Sequence, residues 1–263
     1  MSLVFTATTP HAPLLLPSIG GKYAKELEPT LQAMKELEGE LYMMKPDMLF
    51  IISPHLEIGV GYFPLNGAPQ LRADFSDFGD NTTTFSVATD IEQISHLRYS
   101  LHKSHLPLNT ISIEEMDYGT SVPLALLSNH LPNIKVASMG ISSLPLQDHW
   151  NMGKAIRLSL QESNKRIAVI GSADLGHKNP SSPYGFAADS QSFDSVIQKL
   201  IREKRFSEII SINPQVSEAS GECGLRVFAM VFGMLSDLNV ESKILSYQAP
   251  FGVGHLVSEY VVQ

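Results

Sequence analysis

Two apolar runs in this chain end in nearly the same short word, Thr9-Pro10-His11 and Ser53-Pro54-His55. A proline after a strand fixes φ and removes a backbone donor, so the chain leaves the ladder at a set angle. Each imidazole is then presented from a strand end, where open α/β folds gather their ligands. Either histidine alone reads as an ordinary polar residue at a loop start. The repetition makes His11 and His55 candidate metal ligands. A third candidate lies in Ser220-Gly221-Glu222-Cys223-Gly224-Leu225-Arg226, just ahead of an apolar helix. Glu222 would complete a two-histidine, one-carboxylate set, which leaves positions on Fe(II) open for substrate and oxygen. Cys223, the only cysteine, competes for that role, and its thiolate would favour Zn(II) or copper. Buried cysteines are more often inert, so Glu222 is the preferred ligand of the two.

His177 closes Gly171-Ser172-Ala173-Asp174-Leu175-Gly176-His177, a run of small residues that lets the backbone approach another group closely. With an ordinary pKa near 6.5, a histidine there can gain or lose a proton near neutral pH. Asp174 either orients an imidazole or caps a turn. His96, His102, His105 and His130 read as surface residues. His149 reads as a helix-opening residue that caps, and His255 as a structural loop residue.

These groups need a frame. Short apolar runs at 3–7, 48–52, 136–141 and 167–170 end abruptly in turn-forming or polar residues, the pattern of buried strands. Two more are expected at 243–247 and 256–262. Helix-period segments cover 22–44, 147–162, 190–203 and 224–237, with Pro29 implying a kink or a late start in the first. Alternation of this kind predicts one α/β domain over 1–263, a three-layer α/β/α sandwich on a mostly parallel or mixed sheet. The segment 56–90 is expected to cover the site or to form an oligomer contact.

The composition excludes several classes. A net charge of −8 leaves no electrostatic footprint for nucleic acid or an anionic membrane. No apolar run approaches the roughly 20 residues needed to span a bilayer. The N-terminus lacks the pattern of a signal peptide, and a single cysteine fits a reducing compartment, so a cytoplasmic protein is expected.

In order along the chain, these words resemble the LigB-type catalytic subunit of class III extradiol ring-cleavage dioxygenases. The likeness is to the branch related to AMMECR-linked proteins and, more distantly, to the Memo proteins. It runs through Thr9-Pro10-His11-Ala12-Pro13, Ser53-Pro54-His55, Asp117-Tyr118-Gly119-Thr120-Ser121, Ser172-Ala173-Asp174-Leu175-Gly176-His177, Tyr184-Gly185-Phe186, Gly221-Glu222-Cys223-Gly224 and Ala249-Pro250-Phe251-Gly252. The resemblance implies Fe(II) held by His11, His55 and Glu222, with His177 as acid and base and Asp174 behind the ligands. It implies a catechol or aminophenol and O2 as substrates, and a homo-oligomer or a complex with a partner domain. Tyr118 stands where family members commonly have histidine, and a phenol with a pKa near 10 is a poor proton acceptor. Cys223 resembles the cysteine of the Memo proteins. It implies the alternative of a metal-binding or redox protein without ring cleavage.

Overall fold

The run Met48–Ser53 reads MLFIIS, with no polar residue before its last position, so neither of its faces can be left in water. Alternation resolves the demand: Met48, Phe50 and Ile52 enter one hydrophobic cluster, and Leu49 and Ile51 enter another. The strand must therefore lie inside a sheet covered on both sides. A computed structural model describes residues 2–103 and 105–263 and has this arrangement.

Its strands are β1 (Leu3–Thr9), β2 (Met48–Ser53), β3 (Phe63–Asn66), β4 (Gln70–Phe75), β5 (Asp80–Ala88), β6 (Leu108–Ile111), β7 (Lys135–Gly140), β8 (Ile167–Ser172), β9 (Val240–Gln248) and β10 (His255–Val262). Its helices are α1 (Pro17–Gly20), α2 (Glu28–Met43), α3 (Ile91–Lys103), α4 (Tyr118–Leu127), α5 (Leu146–Gln161), α6 (Ala188–Arg202), α7 (Pro214–Ser220) and α8 (Leu225–Leu235). Eight strands form one mixed sheet in the order β6-β3-β7-β2-β8-β1-β10-β9, and β4 pairs with β5 separately. The central strands β7, β2, β8 and β1 run parallel, while β10 runs antiparallel to both β1 and β9. Helices α3, α5, α6 and α8 cover one face. Helices α2 and α4 and the β4–β5 hairpin cover the other, which gives the expected three-layer sandwich.

The six expected strands are all present, most of them a residue or two longer. The helix expected over 22–44 starts at Glu28, which places Pro29 in the first turn, where its missing N–H breaks no helical bond. The segment 56–90 folds into β3, which joins the sheet between β6 and β7, and the β4–β5 hairpin. Leu71, Ala73 and Phe75 of β4 are buried in the same cluster as α2 and α4, so the hairpin is part of the core. Among the described residues no helix is long and apolar enough to cross a membrane.

Helix α8 carries one charged residue, Arg226, and its other ten residues are buried. It approaches α5 closely because glycines meet backbone: a Cβ at Gly153 would lie 2.0 Å from the Met230 carbonyl oxygen, and one at Gly233 would lie 2.2 Å from that of Trp150. This packing fixes the N-terminus of α8, and with it the Glu222-Cys223 dipeptide.

His149 is the fourth residue of α5 and fully buried, rather than a cap from outside. Its Nδ1 lies 3.0 Å from the Pro145 carbonyl oxygen, and its Nε2 accepts from Ser142 N at 3.2 Å. Burial lowers its pKa from 6.5 to about 4, against the raising effect of the Pro145 carbonyl. Between those two values the unfolded chain carries a proton that the folded protein does not. Stability contributed by the neutral ring is complete above the unfolded pKa and falls as pH drops toward the folded one, by about 1.4 kcal/mol per pH unit. Urea unfolding from about pH 7 to about pH 4 should cost the wild-type chain about 3 kcal/mol more than His149→Gln, whatever that variant's stability at neutral pH. Parallel pH profiles for the two proteins would remove His149 as the cause.

Candidate metal centre

β8 lies between β1 and β2, and Ser172 at its end is opposite Thr9, while Gly171 is opposite Ile52. The three parallel strands end together, and His11 and His55 emerge on either side of β8. His11 is buried. Its backbone N–H donates to Asp174 Oδ1 at 3.2 Å, and its Nδ1 lies 2.8 Å from Ser172 Oγ. With Nδ1 tied there, Nε2 faces the crevice, 3.3 Å from Asp174 Oδ2. The backbone N–H of His55 donates to Ser53 Oγ, whose hydroxyl donates to Asp117 Oδ1 at 2.5 Å. Asp117 also caps α4, accepting from Thr120 N and Thr120 Oγ1. That cap sets Tyr118, first residue of α4, flat against His55, with ring centroids 4.2 Å apart and the phenol oxygen 2.9 Å from His55 Nε2. Phe78, between β4 and β5, meets the edge of Tyr118 at 5.6 Å, so the hairpin segment does border the site.

One donor atom each from His11, His55 and Cys223 lies within 4.8 Å of the others. The two Nε2 atoms are 3.2 Å apart, and Cys223 Sγ is 3.4 Å from His11 Nε2. Two imidazole nitrogens bound to one tetrahedral ion sit about 3.3 Å apart, from bonds of about 2.05 Å each. The spacing therefore suits a shared cation, and a soft thiolate beside two imidazoles suits Zn(II), copper or iron. Glu222 is not in this cluster. Its Oε1 accepts from Ser217 Oγ and its Oε2 from Leu225 N at 2.6 Å, across the N-terminus of α8. A carboxylate is favoured at a helix N-terminus, where free N–H groups carry partial positive charge. Gly221, in the left-handed region at φ 66°, ends α7 and sets up that turn. Glu222 thus faces the cap and Cys223 the histidines.

Electrostatics divide the neighbours. Burial, together with His11, lowers His55 to about 4, so its ring is neutral and free to ligate at neutral pH. Burial also lowers His177, against the raising effect of Asp174. Its Nε2 lies 3.9 Å from Cys223 Sγ. Burial alone would raise Asp174, yet His11, His255 and His177 hold its carboxyl down. The Cys223 thiol is pushed up by burial and by the charges of Asp174 and Glu222. Tyr118 is raised by burial and by Cys223 and Asp174, so its phenol stays protonated and can only donate to a base.

Two residues gain importance that their sequence context concealed. Asp194 of α6 is buried and accepts from Gly176 N, Asn179 Nδ2 and Tyr247 Oη at 2.7–2.9 Å, tying down the loop that carries His177. An acid among Phe193, Ile197 and Ile201 on the buried face of a helix was the available signal. His255 is also buried, and among the described residues neither of its ring nitrogens has a hydrogen-bond partner. Its charge would act on Asp174, so it borders the centre rather than lying apart from it.

The family profile described as the catalytic LigB subunit of aromatic ring-opening dioxygenase matches residues 5–258. The chain belongs to the LigB family. Protein CA_C1420 of Clostridium acetobutylicum is 24% identical over 97% of this chain, which spans only 57% of that protein's length. The 2-aminophenol 1,6-dioxygenase beta subunit of a Pseudomonas species is also 24% identical, over 87% of this chain and 82% of its own. Among solved structures, the uncharacterized protein JW3007 of Escherichia coli shares the fold, with a TM-score of 0.68 at 13% identity over 98% of this chain and 99% of its own.

The geometry of this LigB chain separates the two candidates for third ligand. Cys223→Ala is expected to weaken Zn(II) binding by more than about 100-fold, beyond what loss of a supporting residue usually does. Glu222→Gln should stay within about tenfold of wild type while lowering thermal stability through the α8 cap. Competition titration with a chromogenic chelator measures both. Tight binding by Cys223→Ala and loss in Glu222→Gln would reverse the assignment.

Proposed function

We propose that this protein is a metal-dependent oxygenase of the extradiol type, opening the ring of a catechol or an o-aminophenol with O2. The observation that carries the reading is the convergence of His11 Nε2, His55 Nε2 and Cys223 Sγ at the ends of adjacent parallel strands, with His177 beside them, in a LigB-family chain. Likeness to a 2-aminophenol dioxygenase subunit supports the substrate class. His11, His55 and Cys223 would hold the ion, Fe(II) for this chemistry, with Zn(II) and copper also suited to the thiolate. When bound, the ion supplies a Lewis acid that lowers the pKa of a ring hydroxyl and brings ring and oxygen together.

The chain's own residues do the rest. His177, neutral because burial holds its proton affinity down, accepts the hydroxyl proton of the substrate at a ring nitrogen and later returns it. Tyr118, whose phenol oxygen lies 2.9 Å from His55 Nε2, would turn its hydrogen bond to the substrate once His55 holds the ion, a role that needs no deprotonation. Asp174 keeps its negative charge beside His11 and His177 and balances positive charge gathered there. Ser172 and Ser53 fix the two ligand histidines from behind. The Pseudomonas relative is named as a subunit, which supports a second copy or a partner subunit for this chain as well.

One observation favours a second reading. A thiolate in place of the carboxylate, with a phenol at Tyr118, suits a metal-binding or redox protein that does not open rings. Protein purified without oxygen and loaded with Fe(II) should consume one O2 per catechol or 2-aminophenol and give a coloured ring-opened product. In His177→Ala, kcat should fall by about 100-fold or more at unchanged metal content. A fully loaded wild-type protein that leaves both catechol and 2-aminophenol intact would sink ring opening and leave the second reading.

A further inference from the structure

Glu222 and Cys223 face different spaces. Cys223 joins the histidine cluster, whereas Glu222 borders a cavity of about 940 Å3 between the β7–α5 connection, the segment 210–214 and the start of α8. That is within the size range of small-molecule sites, roughly 300–1,000 Å3. Its apolar wall comes from Leu144, Ile210, Ile212 and Leu225, and Arg226 lines it as well.

Arg226 is the unusual member. Arg226 is half-buried; its Nε is buried without a hydrogen-bond partner, and its charge acts on the Glu222 carboxylate with no hydrogen bond between them among the described residues. Groups nearby that could answer it are already engaged. Glu222 is bonded to Ser217 and Leu225 N. His149 is bonded to Ser142 N and the Pro145 carbonyl. A buried donor left unmatched is costly, and native proteins rarely leave one so. A guanidinium fork is matched best by a planar carboxylate, which can take two parallel hydrogen bonds. The rest of the lining narrows the ligand. The apolar wall asks for a hydrocarbon or aromatic body, and the acidic Glu218 and Glu222 in the same lining disfavour a dianion such as phosphate.

We infer that this cavity binds a small organic monocarboxylate, its carboxylate on Arg226 and its apolar body against Leu144, Ile210, Ile212 and Leu225. The site is distinct from the metal centre and shares with it only the Glu222-Cys223 peptide.

The test is calorimetric titration of the full chain with benzoate and hexanoate, and with benzamide and hexanamide as uncharged counterparts of the same shape. At least one acid should bind saturably, and its amide about ten- to a hundredfold more weakly. Arg226→Gln should reduce the acid to the level of the amide, with fold checked by circular dichroism. Ile212→Trp, which keeps Arg226 and fills the cavity, should block the acid even if Arg226→Gln fails to fold. Because carboxylates also bind metals, the metal-stripped His11→Ala/His55→Ala double variant should bind the acid as the wild type does. The inference is overturned if acid and amide bind alike, if no acid binds in the millimolar range, if Arg226→Gln or Ile212→Trp binds normally, or if the double variant loses binding.

Discussion

Across the β1–β8 ladder Thr9 stands opposite Ser172, and across the β2–β8 ladder Ile52 stands opposite Gly171. Parallel strands in register end at one level, so three segments leave the sheet side by side and must share one crevice. His11, His55 and the Ser172–His177 loop are brought together by that register and by nothing local to any of them. A shift of one residue in β8 would turn Ser172 and Asp174 to the other face and leave His11 without either partner. The buried runs of β2 and β8, apolar on both faces, make such a shift costly, because each face is filled by a different hydrophobic cluster. The hydrophobic effect, acting through strand alternation, therefore sets the geometry of the polar site.

Within the crevice one carboxylate answers several imidazoles. Asp174 lies against His11 and acts electrostatically on His177 and His255. One negative charge cannot balance more than one imidazolium in a buried space, and burial pushes His55, His177 and His255 toward their neutral forms. Neutral imidazoles with free ring nitrogens are ligands and bases. The same burial keeps the thiol of Cys223 and the phenol of Tyr118 protonated. A bound cation would reverse the balance for Cys223, since ligation requires the thiolate and releases its proton.

Much of this was legible in the sequence. Apolar runs that end in Pro-His located both strand ends, and Ser172-Ala173-Asp174 marked the loop beside them. Tyr118 was legible as a phenol where a base was expected, and it packs against His55. Less legible were groups whose partners are distant in the chain. Asp194 meets Tyr247 from another element, and His255 is brought beside the Ser172–His177 loop by the pairing of Leu175 N and Gly176 O with Gly254. The β4–β5 hairpin was less legible because β4 alternates between buried and exposed residues, β5 is mostly exposed or half-buried, and neither has the continuous apolar run of the central strands. Its role as part of the core follows from tertiary packing, which composition does not report.

The choice between Glu222 and Cys223 was open in the sequence for a physical reason. Both can ligate a metal, and consecutive residues in a turn project in different directions, so one of them must face away. What decides is the demand of the neighbouring helix. The first N–H groups of α8 have no partner within the helix, and a carboxylate satisfies them better than a thiol does. Glu222 meets that demand through Leu225 N, and Ser217 from α7 holds its other oxygen. With the carboxylate fixed there, the following residue is turned into the crevice, and the softer donor meets the histidines. The same turn leaves Glu222 bordering the cavity that Arg226 lines, so one dipeptide separates the histidine crevice from that cavity. The α8 cap thus decides which donor the crevice receives and where its wall stands.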